Sequence, residues 1–142
     1  MNPKDIIALV GNRESRKIAT QILKEQGYYV VSIDSKVFEF ASQFFEEEEL
    51  DNHGEQIISE FRERGKKAHQ HYWLNLVMIG VPDDKERIVI SDANMDEVVN
   101  TPFRVLYLTD GINNEVQNNE RLEVINYDGN NAEFTKKIHD IL

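Results

Sequence analysis

The segment from Gly11 to Ile18 carries residue types that could hold a phosphate group. It reads Gly11-Asn12-Arg13-Glu14-Ser15-Arg16-Lys17-Ile18, against the pattern G-x-x-x-x-G-K-[ST] of a phosphate-binding loop. In that pattern successive backbone N–H groups surround the phosphates, the lysine reaches the terminal phosphates, and the hydroxyl group holds Mg²⁺. The first glycine and the lysine are present, so Lys17 is the candidate phosphate ligand.

Two positions of this segment depart from the pattern. Arg16 replaces the second glycine, and Ile18 replaces the hydroxyl residue. We expect the Arg16 side chain to crowd the space in which a phosphate approaches the backbone, and isoleucine cannot ligate a hard cation that prefers oxygen. A glycine and a lysine with this separation are weak evidence by themselves, and an ordinary turn from strand to helix is the commoner structure.

A candidate carboxylate for a metal ion occurs further along the chain. Asp92 follows Ser91 at the end of the apolar segment Arg87–Ile90. An aspartate at the end of a strand next to a phosphate loop can meet Mg²⁺ through the water shell of the ion. Aspartate is also a common helix cap, so a structural role stays open.

The elements that must position these residues follow from hydrophobic patterning. The apolar run Asp5–Val10 predicts a buried strand, and the spacing of Ile18, Ala19, Ile22 and Leu23 predicts a helix from Ser15 to Gln26 that ends before Gly27. Further strands are predicted at Tyr28–Ile33, Arg87–Ile90, Arg104–Leu108 and Leu122–Asn126. Further helices are predicted at Ser35–Phe45, Glu55–Arg64, Ala68–Ile79, Asp96–Asn100 and Asn130–Leu142, with a turn at Asp51–Gly54 and a break at Gly65.

The alternation of strands and helices predicts an α/β fold in which a parallel sheet has helices on both faces. Ligands of such folds bind outside the carboxyl ends of the strands. Gly11, Asp34, Asp92 and Asp110 each follow a predicted strand closely, so we expect them at that edge. No repeat or linker divides the 142 residues, which predicts a single domain.

Composition excludes several classes of function. The chain has 26 acidic and 16 basic residues and a formal charge of −10, which repels a nucleic-acid backbone but could attract a basic protein partner. It has no cysteine, which excludes disulfides, thiol catalysis and cysteine-ligated zinc and favours an intracellular compartment. Neither a membrane span nor a signal peptide is visible, so we expect a cytoplasmic protein that does not bind membranes.

Three other groups of residues are compatible with a binding role, and each has a commoner structural one. The acidic run Glu46–Glu49 could bind a basic partner, although a solvated end of a helix is the more frequent case. Trp73 with Tyr72 could stack a nucleobase, although core packing is favoured by the apolar neighbours. His69 and His71 lie two residues apart, so on a helix they would not share a metal ion.

Taken as a whole, the chain resembles the P-loop nucleoside monophosphate kinases, most closely the phage-type deoxynucleoside monophosphate kinases and phosphomevalonate kinase. The resemblance covers nearly the whole of residues 1–142. It is carried by the segments IIALVGNRESRKIATQILKEQGY, VVSIDSKVFEFASQFF, HYWLNLV, VISDANMDEV and LEVINYDGNNAEFTKKIHDIL.

The resemblance implies a three-layer fold around a five-stranded parallel sheet and transfer of the γ-phosphate of ATP to a (deoxy)nucleoside monophosphate. By position, Lys17 would hold ATP phosphates and Asp92 would organise Mg²⁺ through water. The acceptor nucleotide would be bordered by Asp34, Ser35 and Lys36, with its phosphate near Arg64.

The departures from the family all remove groups that the family uses for phosphoryl transfer. Asn94 stands where the family has an arginine, and the lid at about 111–121 is short, with Arg121 as its only base. A single arginine can be worth roughly 10³ to 10⁵ in the rate of phosphoryl transfer. The sequence therefore favours a degenerate kinase that keeps residual nucleotide binding, with or without Mg²⁺. Two alternatives stay open: an active divergent kinase in which Arg16 supplies transition-state charge, and a non-enzymatic acidic protein that binds or inhibits a protein partner.

Overall fold

A computed structural model describes residues 5–98, 101–109, 122–127, 129 and 131–142. The strands are β1 (Asp5–Gly11), β2 (Tyr29–Val31), β3 (Arg87–Ile90), β4 (Arg104–Thr109) and β5 (Leu122–Asn126). The helices are α1 (Arg13–Glu25), α2 (Ile33–Ala41), α3 (Glu47–Ala68), α4 (Tyr72–Ile79), α5 (Met95–Val98) and α6 (Asn131–Ile141). The α/β class predicted from the sequence is confirmed.

The five strands form one parallel sheet in the order β2-β3-β1-β4-β5. Ile7 of β1 pairs with Val89 of β3 on one side and with Arg104 of β4 on the other. The chain leaves β1 toward one edge of the sheet and leaves β4 toward the opposite edge. The carboxyl end of β1 is therefore the topological switch point, where open α/β sheets bind their ligands.

The chain groups into two compact units. The first unit comprises Met1–Val31 with Asp83–Leu142, and the second is the continuous segment Ser32–Pro82, which is inserted between β2 and β3.

The core of the first unit lies where α1 and α6 pack against the sheet. Alternate residues of the strands point to these helices, as the two-residue period of a strand requires. Phe134 and Ile138 of α6 are buried there. Burial of a side chain of this size stabilises the fold by about 1.5–3 kcal/mol. The set is Ile7, Leu9, Ala19, Ile22, Leu23, Tyr28, Val89, Leu106, Leu108, Ile125, Phe134 and Ile138.

The second unit is built from α2, α3 and α4, which pack on one another. Its first helix begins earlier than predicted, because the Ser32 hydroxyl accepts the N–H of Ser35 at 3.1 Å and so caps a helix that starts at Ile33. The prediction that Ile33 ends a strand was wrong. The helix also ends at Ala41, so Phe44 and Phe45 lie beyond it.

The long helix α3 agrees with the predictions at one place and differs from them at two. The predicted turn at Asp51–Gly54 coincides with a kink, since His53, with φ −130° and ψ 21°, leaves helical geometry and divides α3 into two helical segments. Gly65 lies inside the helix, and the chain breaks instead at His69–His71, before α4. The acidic run begins α3 rather than ending α2, and its charge suits the positive end of the helix dipole.

Some predictions fall on residues that are not described. These are Asp110, the lid at 111–121 with Arg121, and the last two residues of the predicted helix Asp96–Asn100. In the part of the chain that is described, no helix is long and apolar enough to cross a membrane.

Candidate functional site

The connection from β1 to α1 is a single residue, Asn12. Gly11, the last residue of the strand, has φ +112°, and a Cβ at this position would lie 2.2 Å from the carbonyl oxygen of Leu108. The backbone N–H of Asn12 donates to that same oxygen at 2.9 Å. The close approach of β4 to this turn therefore requires glycine at position 11.

The helix begins two residues earlier than the predicted start at Ser15. Asn12 is its N-cap, and the side-chain oxygen accepts from the backbone N–H of Ser15 at 2.9 Å and from the Ser15 hydroxyl at 3.0 Å. The next N–H, that of Arg16, donates to the backbone oxygen of Asn12 at 2.9 Å. Most of the segment that resembles a phosphate loop is thus the first turns of a capped helix, and the Ser15 hydroxyl is buried.

The Arg16 side chain turns back from α1 over the carboxyl ends of two neighbouring strands. Its Nε donates to the carbonyl oxygen of Gly11, the last residue of β1, and its Nη1 donates to that of Ser91, the first residue after β3, both at 3.1 Å. Ser91 is itself tied to β2, because its N–H donates to the carbonyl oxygen of Val31 at 3.0 Å. A guanidinium keeps its charge at all ordinary pH values. The switch point therefore carries a fixed positive charge held by backbone carbonyls.

The two residues after Arg16 face in different directions. Lys17 is exposed, and among the described residues no side chain forms a salt bridge with it. Ile18, at the position of the missing hydroxyl, packs against the buried core of the first unit. Its apolar side chain therefore has a structural use, and the helix offers no oxygen ligand at this point.

Asp92 is half-buried and lies just beyond β3. The turn that follows is closed by Glu97, which is 1% exposed and whose side chain accepts the N–H of Asn94 at 2.9 Å. Sequence reasoning did not single out Glu97, although an asparagine followed three residues later by a glutamate is the pattern of a capping box.

The residues near the switch point fit a magnesium ion poorly. Asp92 offers one carboxylate, Ile18 offers no oxygen, and the Ser15 hydroxyl is bonded to Asn12. The described part of the chain has no cluster of three or more histidine, aspartate or glutamate residues that could hold a metal ion. His69 and His71 lie between α3 and α4 rather than on a helix, and their ring centroids are 5.9 Å apart.

In the second unit, the predicted acceptor residues fall into two groups. Asp34 lies in the first turn of α2, and its Oδ1 accepts from Nη1 of Arg62 at 2.6 Å. The Ser35 N–H belongs to the helix cap. Arg62 is 7% exposed, whereas Arg64 is exposed, with its guanidinium 5.5 Å above the Phe61 ring. Arg62, which sequence reasoning missed, is the arginine that meets Asp34, because two positions on a helix differ by about 200° in direction.

Lys36 lies at a cavity of about 220 Å³ between α2 and α4. The lining residues are Lys36, Glu39, Phe40, Gln43, Tyr72, Trp73 and Leu76. Nζ of Lys36 is 3.9 Å from Oε2 of Glu39. Trp73 is 2% exposed and its Nε1 donates to the carbonyl oxygens of Phe61 and Arg62 at 3.2 and 3.1 Å, which confirms the predicted core role.

The structure thus places Gly11, Asn12, Arg16 and Asp92 near the carboxyl ends of β1 and β3 in the first unit. It pairs Asp34 with Arg62 and groups Lys36 with Tyr72 and Trp73 in the second. Comparisons of this chain with protein-family models, with curated proteins and with solved structures find no match.

Proposed function

We propose that this protein is a degenerate nucleoside monophosphate kinase-like protein of the cytoplasm, which binds nucleotide weakly, without a requirement for Mg²⁺, and transfers little or no phosphate. The observation that carries the proposal is the Arg16 guanidinium, bonded to the carbonyl oxygens of Gly11 and Ser91. A phosphate at the end of β1 would have to share this space with the arginine.

The hydrogen bonds of Arg16 favour the conformation in which its side chain occupies the space of the phosphate. Hydrogen bonds from a charged donor contribute roughly 1.5–3 kcal/mol each, and Arg16 makes one with each of two carbonyls. A bound phosphate that displaced these hydrogen bonds would regain part of their free energy by pairing with the guanidinium. Binding is therefore weakened rather than abolished.

The second support is the start of α1 at Arg13. In a phosphate loop, backbone N–H groups point into a shared concavity. Here the N–H groups of Ser15 and Arg16 are bonded to the side chain and the backbone of Asn12. Together with Ile18 in the core, this leaves few groups that could stabilise the charge of a transferring phosphate.

A coupled assay with ATP, Mg²⁺ and a panel of nucleoside and deoxynucleoside monophosphates tests the absence of transfer. We expect turnover far below the roughly 1–100 per second of kinases. Thermal unfolding with each nucleotide, with and without Mg²⁺, tests binding, since a ligand at 100 times its dissociation constant adds about 2.7 kcal/mol to stability. Ordinary turnover would contradict the first part of the proposal, and the absence of any thermal shift would contradict the second.

Arg16→Gly separates this proposal from an active divergent kinase. If the arginine blocks phosphate, the substitution should strengthen nucleotide binding, and the double variant Arg16→Gly with Ile18→Thr should restore a requirement for Mg²⁺. If Arg16 instead supplies transition-state charge, Arg16→Gly should lower the turnover. Lys24→Ala, which removes an exposed cation from the last turn of α1, is the matched control and should change neither property.

A further inference from the structure

The second unit carries a group of phenylalanine rings that reaches the surface. We call Phe40, Phe44, Phe45 and Phe61 the aromatic face. The Phe40 and Phe44 ring centroids are 5.4 Å apart, and Phe61 lies within 5.9–6.3 Å of each of the other three. Phe44 is 63% exposed and Phe40 36%. Aromatic rings stabilise a protein chiefly by leaving water, so this exposure is unfavourable in the free protein.

The aromatic face is continuous with the cavity between α2 and α4. Phe40 belongs to both, since its ring lines the cavity and lies 5.8 Å from that of Trp73. Cavities for drug-sized ligands measure about 300–1,000 Å³. At about 220 Å³, this one is better suited to a single large side chain of a partner.

Acidic side chains outnumber basic ones beside the aromatic face, where the cations are Arg64, 5.5 Å above the Phe61 ring, and Lys36, 3.9 Å from Glu39. Glu46–Glu49 follow Phe45 directly, and all four are exposed. Among the described residues none of the four side chains is paired with a lysine or arginine. Because the chain also has a net charge of −10, this surface would repel a second copy of the chain and attract a cationic partner.

We infer that the aromatic face binds a basic amphipathic segment of a partner protein. One large apolar side chain of that segment occupies the cavity beside Trp73, and its lysine or arginine side chains lie against Glu46–Glu49. Interfaces of this kind obtain most of their affinity from a buried anchor, and charge at the rim accelerates and orients association. The inference uses none of the residues near β1, although the cavity is lined by Lys36, which the resemblance places at the acceptor nucleotide.

The chain provides its own reporter for this binding, because Trp73 is the only tryptophan and lines the cavity. The probe is a synthetic peptide of about 18 residues, long enough to form a helix, with lysine on one face and leucine on the other. One central leucine is replaced by 4-bromophenylalanine, which quenches tryptophan emission only at contact. We expect saturable binding with quenching of Trp73. Binding without quenching, or no binding, would overturn the inference.

Matched variants separate a specific surface from general charge attraction. Reversal of three acids by Glu47→Lys, Glu48→Lys and Glu49→Lys should weaken peptide binding about tenfold or more. Reversal of three exposed acids elsewhere, by Asp83→Lys, Asp84→Lys and Glu86→Lys, changes the net charge equally. This control should weaken peptide binding by less than a quarter of the fold-change seen for the first triple variant. Equal losses in the two triple variants would show nonspecific attraction and refute the surface.

Three further measurements test the occupant. Phe44→Ser replaces a mostly exposed ring, so it should keep the fold and weaken peptide binding about tenfold. Sedimentation of the free protein should give a monomer. A dimer that dissociates on Phe44→Ser would assign the surface to a second copy of the chain. Quenching of Trp73 by free 4-bromophenylalanine with no dependence on the peptide would assign the cavity to a small ligand, and either result contradicts the inference.

Discussion

Trp73 lies so close to Gly65 that no side chain fits between them. A Cβ at Gly65 would be 2.3 Å from Nε1 of Trp73 and 2.8 Å from Cε2. The same Nε1 donates to the carbonyl oxygens of Phe61 and Arg62, one turn earlier in α3. The indole is therefore fixed against the backbone of α3, and the glycine sets the distance between α3 and α4.

Gly65→Ala should destabilise the protein. Alanine is favoured over glycine in a helix by about 1 kcal/mol, but overpacking costs typically 1–3 kcal/mol, and the displaced indole N–H would also lose its bifurcated hydrogen bond, worth about 1 kcal/mol. We expect a net loss of roughly 1–3 kcal/mol in the free energy of unfolding, measured in urea, with a change in Trp73 emission.

Gly54→Ala is the matched control in the same helix. A Cβ at Gly54 would meet Cε2 of Phe38 at 3.8 Å, which is an ordinary van der Waals distance. This substitution should leave stability unchanged or raise it by up to about 1 kcal/mol. If Gly65→Ala behaves in the same way, the close contact with Trp73 does not limit the packing.

The pair between Asp34 and Arg62 should stabilise the second unit. Arg62 is buried, whereas the Asp34 side chain is 51% exposed, so solvent weakens the interaction. We expect Asp34→Ala to lower the free energy of unfolding by roughly 1–2 kcal/mol, because a buried guanidinium loses an acceptor. Asp34→Asn keeps one oxygen acceptor and should cost less. Equal losses for the two variants would assign the effect to another contact of Asp34.

The sequence was sufficient to predict most elements of the fold because their hydrophobic periods are strong. Strands such as Arg87–Ile90 and Leu122–Asn126 have the predicted bounds, and the last helix, Asn131–Ile141, lies within its predicted range. Gly65 was misassigned because a glycine inside a helix is usually a break, and only the tertiary contact with Trp73 explains its presence.

The candidate site was harder to predict than the fold. Local spacing indicated that Arg16 and Ile18 break the phosphate pattern, but the carbonyl of Ser91 that receives Arg16 lies 75 residues away in the chain. For the same reason the sequence did not identify Arg62, rather than Arg64, as the arginine that meets Asp34. Burial of an arginine on α3 depends on which face of α3 meets α2. Patterns within one element are visible in a sequence, whereas partners on different elements are not.

The Asn12 cap should stabilise α1. Asn12→Ala removes the acceptor for both the N–H and the hydroxyl of Ser15, and we expect a loss of about 1–2 kcal/mol in the free energy of unfolding. Asn12→Asp keeps the acceptor and adds a negative charge at the positive end of the helix, so it should be neutral or stabilising. Thermal unfolding of both variants tests this, and a neutral Asn12→Ala would exclude a stabilising cap.

Stability should fall at alkaline pH through Tyr28. Burial, and secondly the 2.6 Å hydrogen bond that the Tyr28 hydroxyl donates to Asp5, raise the pKa of this phenol above its ordinary value of 10.0. The folded state therefore holds the proton more tightly than the unfolded chain. The stabilisation is complete below pH 10 and is lost as the pH rises through the pKa of the folded state.

Tyr28→Phe tests this dependence because it removes the ionisable group and leaves the ring in the core. Near neutral pH the variant should be less stable by about 1 kcal/mol, since the bond to Asp5 is lost. From neutral pH to above pH 10 the wild-type protein should lose more stability than the variant, with the loss beginning at about pH 10, so the difference between them should narrow. Asp5→Asn should reduce the pH dependence only in part, because burial is the larger cause of the raised pKa. Urea unfolding of the three proteins across this range gives the comparison, and parallel pH profiles for the wild type and Tyr28→Phe would show that Tyr28 is not responsible.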